Sequence, residues 1–227
     1  MTVDLSGKVV ALTGASGALG RAAAVDFTKF GAVVAHLDHG KAAEGALHFG
    51  GTDLADESAA AAVFAKIVAQ TGRLDALVNV AGGFAFEKFE GGNVGHWDAM
   101  YRQNLRTAVV CCQAALPHLL NSGAGRIVNI GAQGAEHAGA GMGAYAASKA
   151  GVAKLTEALS AEFKTRGITV NAILPSIMDT ERNRLDMPQA DFSRWVPLGA
   201  VADLMAFLVS DAAASITGAL IPITGKV

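Results

Sequence analysis

A chain of 227 residues, 52% hydrophobic and 17% charged, can bury the core of one large α/β domain and has no stretch polar enough to stay disordered. Its net charge of -2 offers no electrostatic case for nucleic acid or an anionic membrane as partner, and its apolar stretches are interrupted before they could span a bilayer. Residues 1–7 lack a signal-peptide pattern, and the two cysteines, Cys111 and Cys112, are adjacent, which suits reduced thiols in a packed helix; a cytoplasmic protein is expected.

Along the chain, apolar runs of strand length alternate with longer helical patterns. Residues 8–13 read as a first strand, followed by a glycine-rich turn and a helix over 19–30. Residues 32–38 make a second strand and 46–50 a weaker third. A helix over 57–71 leads to a strand over 74–80, and a long helix is predicted over 97–120. Residues 126–131 form a fifth strand, 145–166 a helix, 168–174 a sixth strand, 203–210 a helix and 219–224 a last strand. Val152, Leu155, Leu159 and Phe163 recur at helical spacing and set the register of the helix that contains them. Strand–helix alternation of this kind predicts a doubly wound parallel sheet in a single domain, with ligands beyond the carboxyl ends of the strands.

The first such end carries Thr13-Gly14-Ala15-Ser16-Gly17-Ala18-Leu19-Gly20. Glycines let the backbone turn sharply and approach a pyrophosphate, and free N–H groups at a helix start favour its charge. The strand before and the helix after give this motif its weight as a dinucleotide site. Asp38 lies at the end of the second strand, about twenty residues on, where a carboxylate accepts from ribose hydroxyls and repels a 2′-phosphate. No basic residue stands within the glycine turn, so NAD (as NADH) is expected over NADP, with NADP possible. The six histidines show no metal-ligand spacing, and no metal is expected.

Tyr145 and Lys149 fall one helical turn apart on one face. A phenol titrates near pH 10, and a neighbouring ammonium would stabilise the phenolate and bring it closer to a working acid/base. These residues, with the glycine turn, Asn79-Val80-Ala81-Gly82 and Tyr145-Ala146-Ala147-Ser148-Lys149, resemble the short-chain dehydrogenase/reductase family over essentially the whole chain. The resemblance implies a Rossmann-type fold, an NAD(P)-dependent oxidoreductase acting on a small molecule, and homodimers or homotetramers formed through the helices that hold Asn104 and Tyr145. It implies that Gly14, Ser16 and Leu19 line the pyrophosphate, that Asp53 and Leu54 flank the adenine, and that Asn79, Ala81 and Gly82 border the adenosine and its ribose. It also implies that Pro175 to Thr180, including Ile177, covers the nicotinamide. Lys149 would bind the nicotinamide ribose, and Asn104 would support a water-linked proton route through Lys149.

One departure matters for substrate. Most relatives carry a serine where this chain has Ala132, and a methyl group cannot hydrogen-bond a substrate carbonyl. Gln133 is adjacent, and Ser148 is placed to point away from Tyr145. A narrower resemblance accounts for the alanine: the stretch from Ile130-Gly131-Ala132-Gln133 to Tyr145 is similar to dihydropteridine reductases. So is the order of Leu174-Pro175, Asp179-Thr180, Asn183-Arg184, Met187-Pro188, Ala190-Asp191-Phe192-Ser193 and Trp195, in the substrate loop around 176–200. That branch has a tryptophan where Phe84 stands, and Phe84 could stack beside a flat ring. Three functions follow as expectations: a reductase of a quinonoid dihydropteridine, an alcohol dehydrogenase or ketone reductase, and a nicotinamide-binding sensor without turnover.

Overall fold

The computed structural model describes residues 3–40, 45 and 47–227. Seven strands form one parallel sheet: β1 (Val9–Thr13), β2 (Val33–Leu37), β3 (His48–Phe49), β4 (Ala76–Asn79), β5 (Arg126–Ile130), β6 (Thr169–Pro175) and β7 (Leu220–Ile223), in the order β3-β2-β1-β4-β5-β6-β7. Its helices are α1 (Ala18–Lys29), α2 (Glu57–Thr71), α3 (Val94–Met100), α4 (Thr107–Ser122), α5 (Gly143–Phe163), α6 (Glu181–Asp186) and α7 (Leu198–Val209).

The central strands are apolar almost throughout because both faces are covered. Alternate residues divide between two cores. Val10, Leu12, Val78, Val128 and Ile130 pack with Phe27 of α1 and Val201, Met205 and Val209 of α7. Val9, Ala11, Leu77, Ile127 and Val170 pack on the other face with Phe64 and Ile67 of α2, Cys111, Cys112 and Leu119 of α4, and Phe163 of α5. Both thiols are free and buried, and burial pushes them well above the usual thiol range. The strand order reverses between β1 and β4, so their carboxyl ends, Thr13 and Asn79, flank the crevice in which such sheets bind ligands.

The predicted elements shift in four places. Only His48–Phe49 of the expected third strand pairs with β2, and Ala46 lies outside the described residues. The helix expected over 97–120 starts earlier and is interrupted by a π-helical stretch, Tyr101–Arg106, within which Asn104 is tied to the chain after β4. The helix expected over 145–166 begins at Gly143 and tightens to a 3-10 turn at Lys164–Arg166. α7 begins at Leu198, immediately after Pro197, since Val201 and Ala202 already face the core. Within the substrate loop, α6 is an addition, capped by Thr180, whose hydroxyl accepts from the Asn183 N–H at 3.1 Å. No helix among the described residues is long and apolar enough to cross a membrane.

Candidate active site

The glycine turn is held against the chain that leaves β4. Gly14 sits at φ +66°, and a Cβ there would lie 2.8 Å from the Cα and N of Ala81. At Gly20 a Cβ would fall 2.1 Å from the Gly14 carbonyl oxygen. These two positions are glycine because backbone occupies the space of a side chain. Gly17, by contrast, is the N-cap of α1 and brings no side-chain cap, so the first turn of α1 keeps N–H groups for an anion. Leu19, expected beside the pyrophosphate, buries its side chain in the core, which leaves only its backbone for that role.

Thr13, to which the sequence assigns no role, ties the two walls of the crevice. Its Oγ1 accepts from the N–H groups of Val80 and Ala81 at 3.1 Å each. A threonine ending the strand just before a glycine turn was the available signal. Asp38 stands across the turn: its Oδ2 accepts from Ser16 N at 2.8 Å and from Ser16 Oγ at 2.6 Å. Partial burial works against that carboxylate, but hydrogen bonds from Ser16, Gly40 and His39 outweigh it and hold its pKa below the usual value. An uncapped helix start, a close-packed glycine turn and an ionised carboxylate beyond β2 form a cradle that fits a dinucleotide.

The remaining cofactor candidates divide. Asp53 is half-buried and paired with Arg102 at 2.5 Å, while the neighbouring Leu54 is buried in the core. Asn79 does not face the crevice: its Nδ2 donates to Asn129 Oδ1 at 2.9 Å and toward Cys112 Sγ at 3.4 Å, because the paired strands β4 and β5 set these two asparagines side by side. Ala81 and Gly82 remain at the crevice as expected. A Cβ on Gly82 would lie 2.6 Å from Asn104 Oδ1 and 3.4 Å from Lys149 Nζ, so both groups border the same small space. Pro175 ends β6, and the chain beyond it returns to the body of the protein. Ile177 accepts through its carbonyl from Val196 N at 2.9 Å, and the Thr180 hydroxyl is committed to capping α6.

Tyr145 lies in the first turns of α5, half-buried, with the Phe84 ring edge-on to it at 5.0 Å. Lys149 is buried, and its Nζ donates to the Ile130 carbonyl at 2.7 Å. The expectation of a phenol lowered by this lysine is corrected by the structure. Burial pushes Tyr145 up to about 12 and Lys149 down to about 8. The physical reason is direction: the ammonium is spent on the end of β5, and loss of water then penalises each charged form. Asn104 is buried in the π-helical stretch; its Oδ1 accepts from Gly83 N at 2.9 Å, and its Nδ2 donates to Gly83 O at 3.1 Å and to Ser148 Oγ at 3.0 Å. Ser148 lies on the buried face of α5 with its proton on the Tyr145 carbonyl, and so cannot replace the missing serine. Ala132 is buried at the end of β5, and Gln133 opens the 3-10 turn that follows, half-buried.

A family profile described as short chain dehydrogenase matches residues 8–190. The chain belongs to the short-chain dehydrogenase family. It is 35% identical over 97% of its length to D-threitol dehydrogenase of Mycolicibacterium smegmatis, 93% of which is covered. It is 32% identical to a 3-oxoacyl-(acyl-carrier-protein) reductase of Pseudomonas aeruginosa, with 98% of each chain covered. Among solved structures, carveol dehydrogenase of Mycobacterium avium in complex with NAD superposes with a TM-score of 0.87 at 26% identity, over 99% of this chain and 98% of the other. This short-chain dehydrogenase is therefore an NAD(P)-dependent oxidoreductase of small molecules.

Proposed function

We propose that the enzyme uses NADH to reduce a flat, conjugated acceptor of the quinonoid dihydropteridine kind, with Tyr145 as the proton carrier. The observation that carries this reading is the site's combination of a methyl at Ala132 with the Phe84 ring beside Tyr145. The family's usual hydroxyl is replaced by a buried methyl, and an aromatic ring stands edge-on to the phenol at 5.0 Å. A carbonyl substrate needs a second donor to hold its oxygen; a planar ring can be held by its faces instead.

In this reading Gly14, Ser16, Gly17 and the backbone at Leu19 take the pyrophosphate at the start of α1. Asp38 accepts from the adenosine ribose and favours NAD over NADP. Asp53, Ala81 and Gly82, with the backbones of Leu54 and Asn79, would supply the adenosine side, and Pro175, Ile177 and the backbone of Thr180 the nicotinamide side. Bound NADH supplies the hydride. Tyr145 would deliver the accompanying proton from its hydroxyl, and Lys149 would hold the nicotinamide ribose. Asn104 keeps the proton route behind Lys149 in place, and Phe84, Ala132 and Gln133 line the substrate. Dimers or tetramers form through the helices that hold Asn104 and Tyr145.

A second reading, interconversion of an alcohol and a carbonyl, is favoured by the names of the threitol dehydrogenase and the oxoacyl reductase among its relatives. The two are separated by following NADH oxidation with a quinonoid dihydropterin and with a set of simple ketones. Pterin turnover that falls about 10²- to 10⁴-fold in Tyr145→Phe supports the first. Ketone turnover alone supports the second, and tight NADH binding without turnover by any acceptor overturns both in favour of a sensor.

A further inference from the structure

Ser148 follows from none of the roles above, yet it joins three of the segments that build the site. Its hydroxyl is buried and has one proton, which it donates to the carbonyl oxygen of Tyr145 at 2.7 Å. The oxygen can then only accept, and what it accepts is Asn104 Nδ2 at 3.0 Å. An amide that must turn its NH₂ toward α5 must turn its oxygen the other way. Asn104 Oδ1 accordingly meets Gly83 N at 2.9 Å and borders the space at Gly82 that Lys149 Nζ also borders. Both Nδ2 protons are used, the second on Gly83 O at 3.1 Å.

We propose that Ser148 is a positioning residue: with its proton committed to the Tyr145 carbonyl, it braces the Asn104 amide in the orientation the Gly83 backbone sets and ties the Gly83 turn, the π-helical stretch and α5 into one catalytic arrangement. The proposal rests on the reading of Tyr145 and Lys149 as the proton-carrying pair. It assigns Ser148 no contact with substrate or cofactor. A hydroxyl at this place is required because a methyl group leaves one Nδ2 proton of a buried amide without an oxygen acceptor, so that only the two Gly83 bonds hold Asn104 and α5 is no longer tied to it.

The test compares Ser148→Ala, Ser148→Cys and Ser148→Thr in the full chain, with hydrogen exchange at the Gly83 amide as a readout that needs no turnover. In Ser148→Ala the Gly83 amide should exchange at least about tenfold faster, and kcat should fall about tenfold while KM for NADH stays within about twofold. Ser148→Thr, which keeps the hydroxyl, should recover most of both. Should Ser148→Ala fail to fold, Ser148→Cys fills the same space with a poor acceptor and carries the same expectation. Unchanged Gly83 exchange in a folded Ala or Cys variant overturns the proposal, as does a kcat unchanged in an enzyme that turns over. A joint change in kcat and KM accompanied by a lowered Tm assigns Ser148 a merely structural role and also overturns it. A wild-type chain inactive on every acceptor would sink the oxidoreductase reading instead, while Gly83 exchange would still decide this one.

Discussion

The two ends of the sheet treat charge in opposite ways. At the amino ends of β1, β4 and β5, each cation has a carboxylate. Lys8 pairs with Asp211 at 2.8 Å, Arg73 with Asp75 at 2.6 Å, and Arg126 reaches Asp211 at 3.5 Å. Asp75, buried, also accepts from Val9 N at 2.8 Å and so ties β4 to β1. A polar groove of about 480 Å³ opens at this end, bordered by Lys8, Arg73 and Asp211, but their charges are already matched. At the carboxyl ends, Lys149 is buried against a neutral carbonyl, and among the described residues no carboxylate pairs with it. The paired charges hold the strand ends together, whereas Lys149, buried where a ligand has to be received, has no carboxylate among the described residues, and that costs stability.

Replacing the unmatched charge should break this contrast most severely. Lys149→Met should abolish turnover and, at pH 7, raise Tm by roughly 2–4 °C per kcal/mol recovered, less what the orphaned Ile130 carbonyl costs. Because Lys149 is held at about 8 when folded and returns toward 10.5 when unfolded, the unfolded chain binds the extra proton between those values. Stability of the wild type should therefore rise with pH across that window, and thermal melts of Lys149→Met should lose this rise. Gly14→Ala comes next: a Cβ driven onto the Ala81 backbone at a positive φ should cost about 1–3 kcal/mol and weaken NADH binding at least tenfold, measured by fluorescence titration. Asp75→Ala should cost about 1–3 kcal/mol in urea melts by stranding the buried Val9 N–H, with turnover unchanged, since it touches only the matched end. The smallest effect is expected from Ala132→Ser, with less than about a threefold change in pterin turnover; a large gain would favour a carbonyl substrate.

Much of this was legible in the residues. Strands covered on both faces read as unbroken apolar runs, and a glycine turn between strand and helix marks an anion site whatever surrounds it. The one-turn spacing of Tyr145 and Lys149 is equally local. What escaped was direction. Asn79 fits the crevice by position but turns toward Asn129, a partner fifty positions along the chain. Asn104 reads as part of a regular helix, yet its bonds to Gly83 and Ser148 accompany a π-helical stretch. The position of Thr13 before the glycine turn is legible in the chain, but its acceptor role exists only once Val80 and Ala81 arrive beside it.

The sequence by itself determined the layers, the crevice and the chemical groups brought to it, because hydrophobic periodicity and backbone freedom act between neighbours in the chain. Tertiary structure alone decided what those groups do before a ligand arrives: Lys149 faces the Ile130 carbonyl, Asn104 is locked by Ser148 and Gly83, and Tyr145 is desolvated. The reason is that a side chain's direction and its proton affinity depend on which distant partners share its space and how much water they exclude, and neither is a property of local spacing.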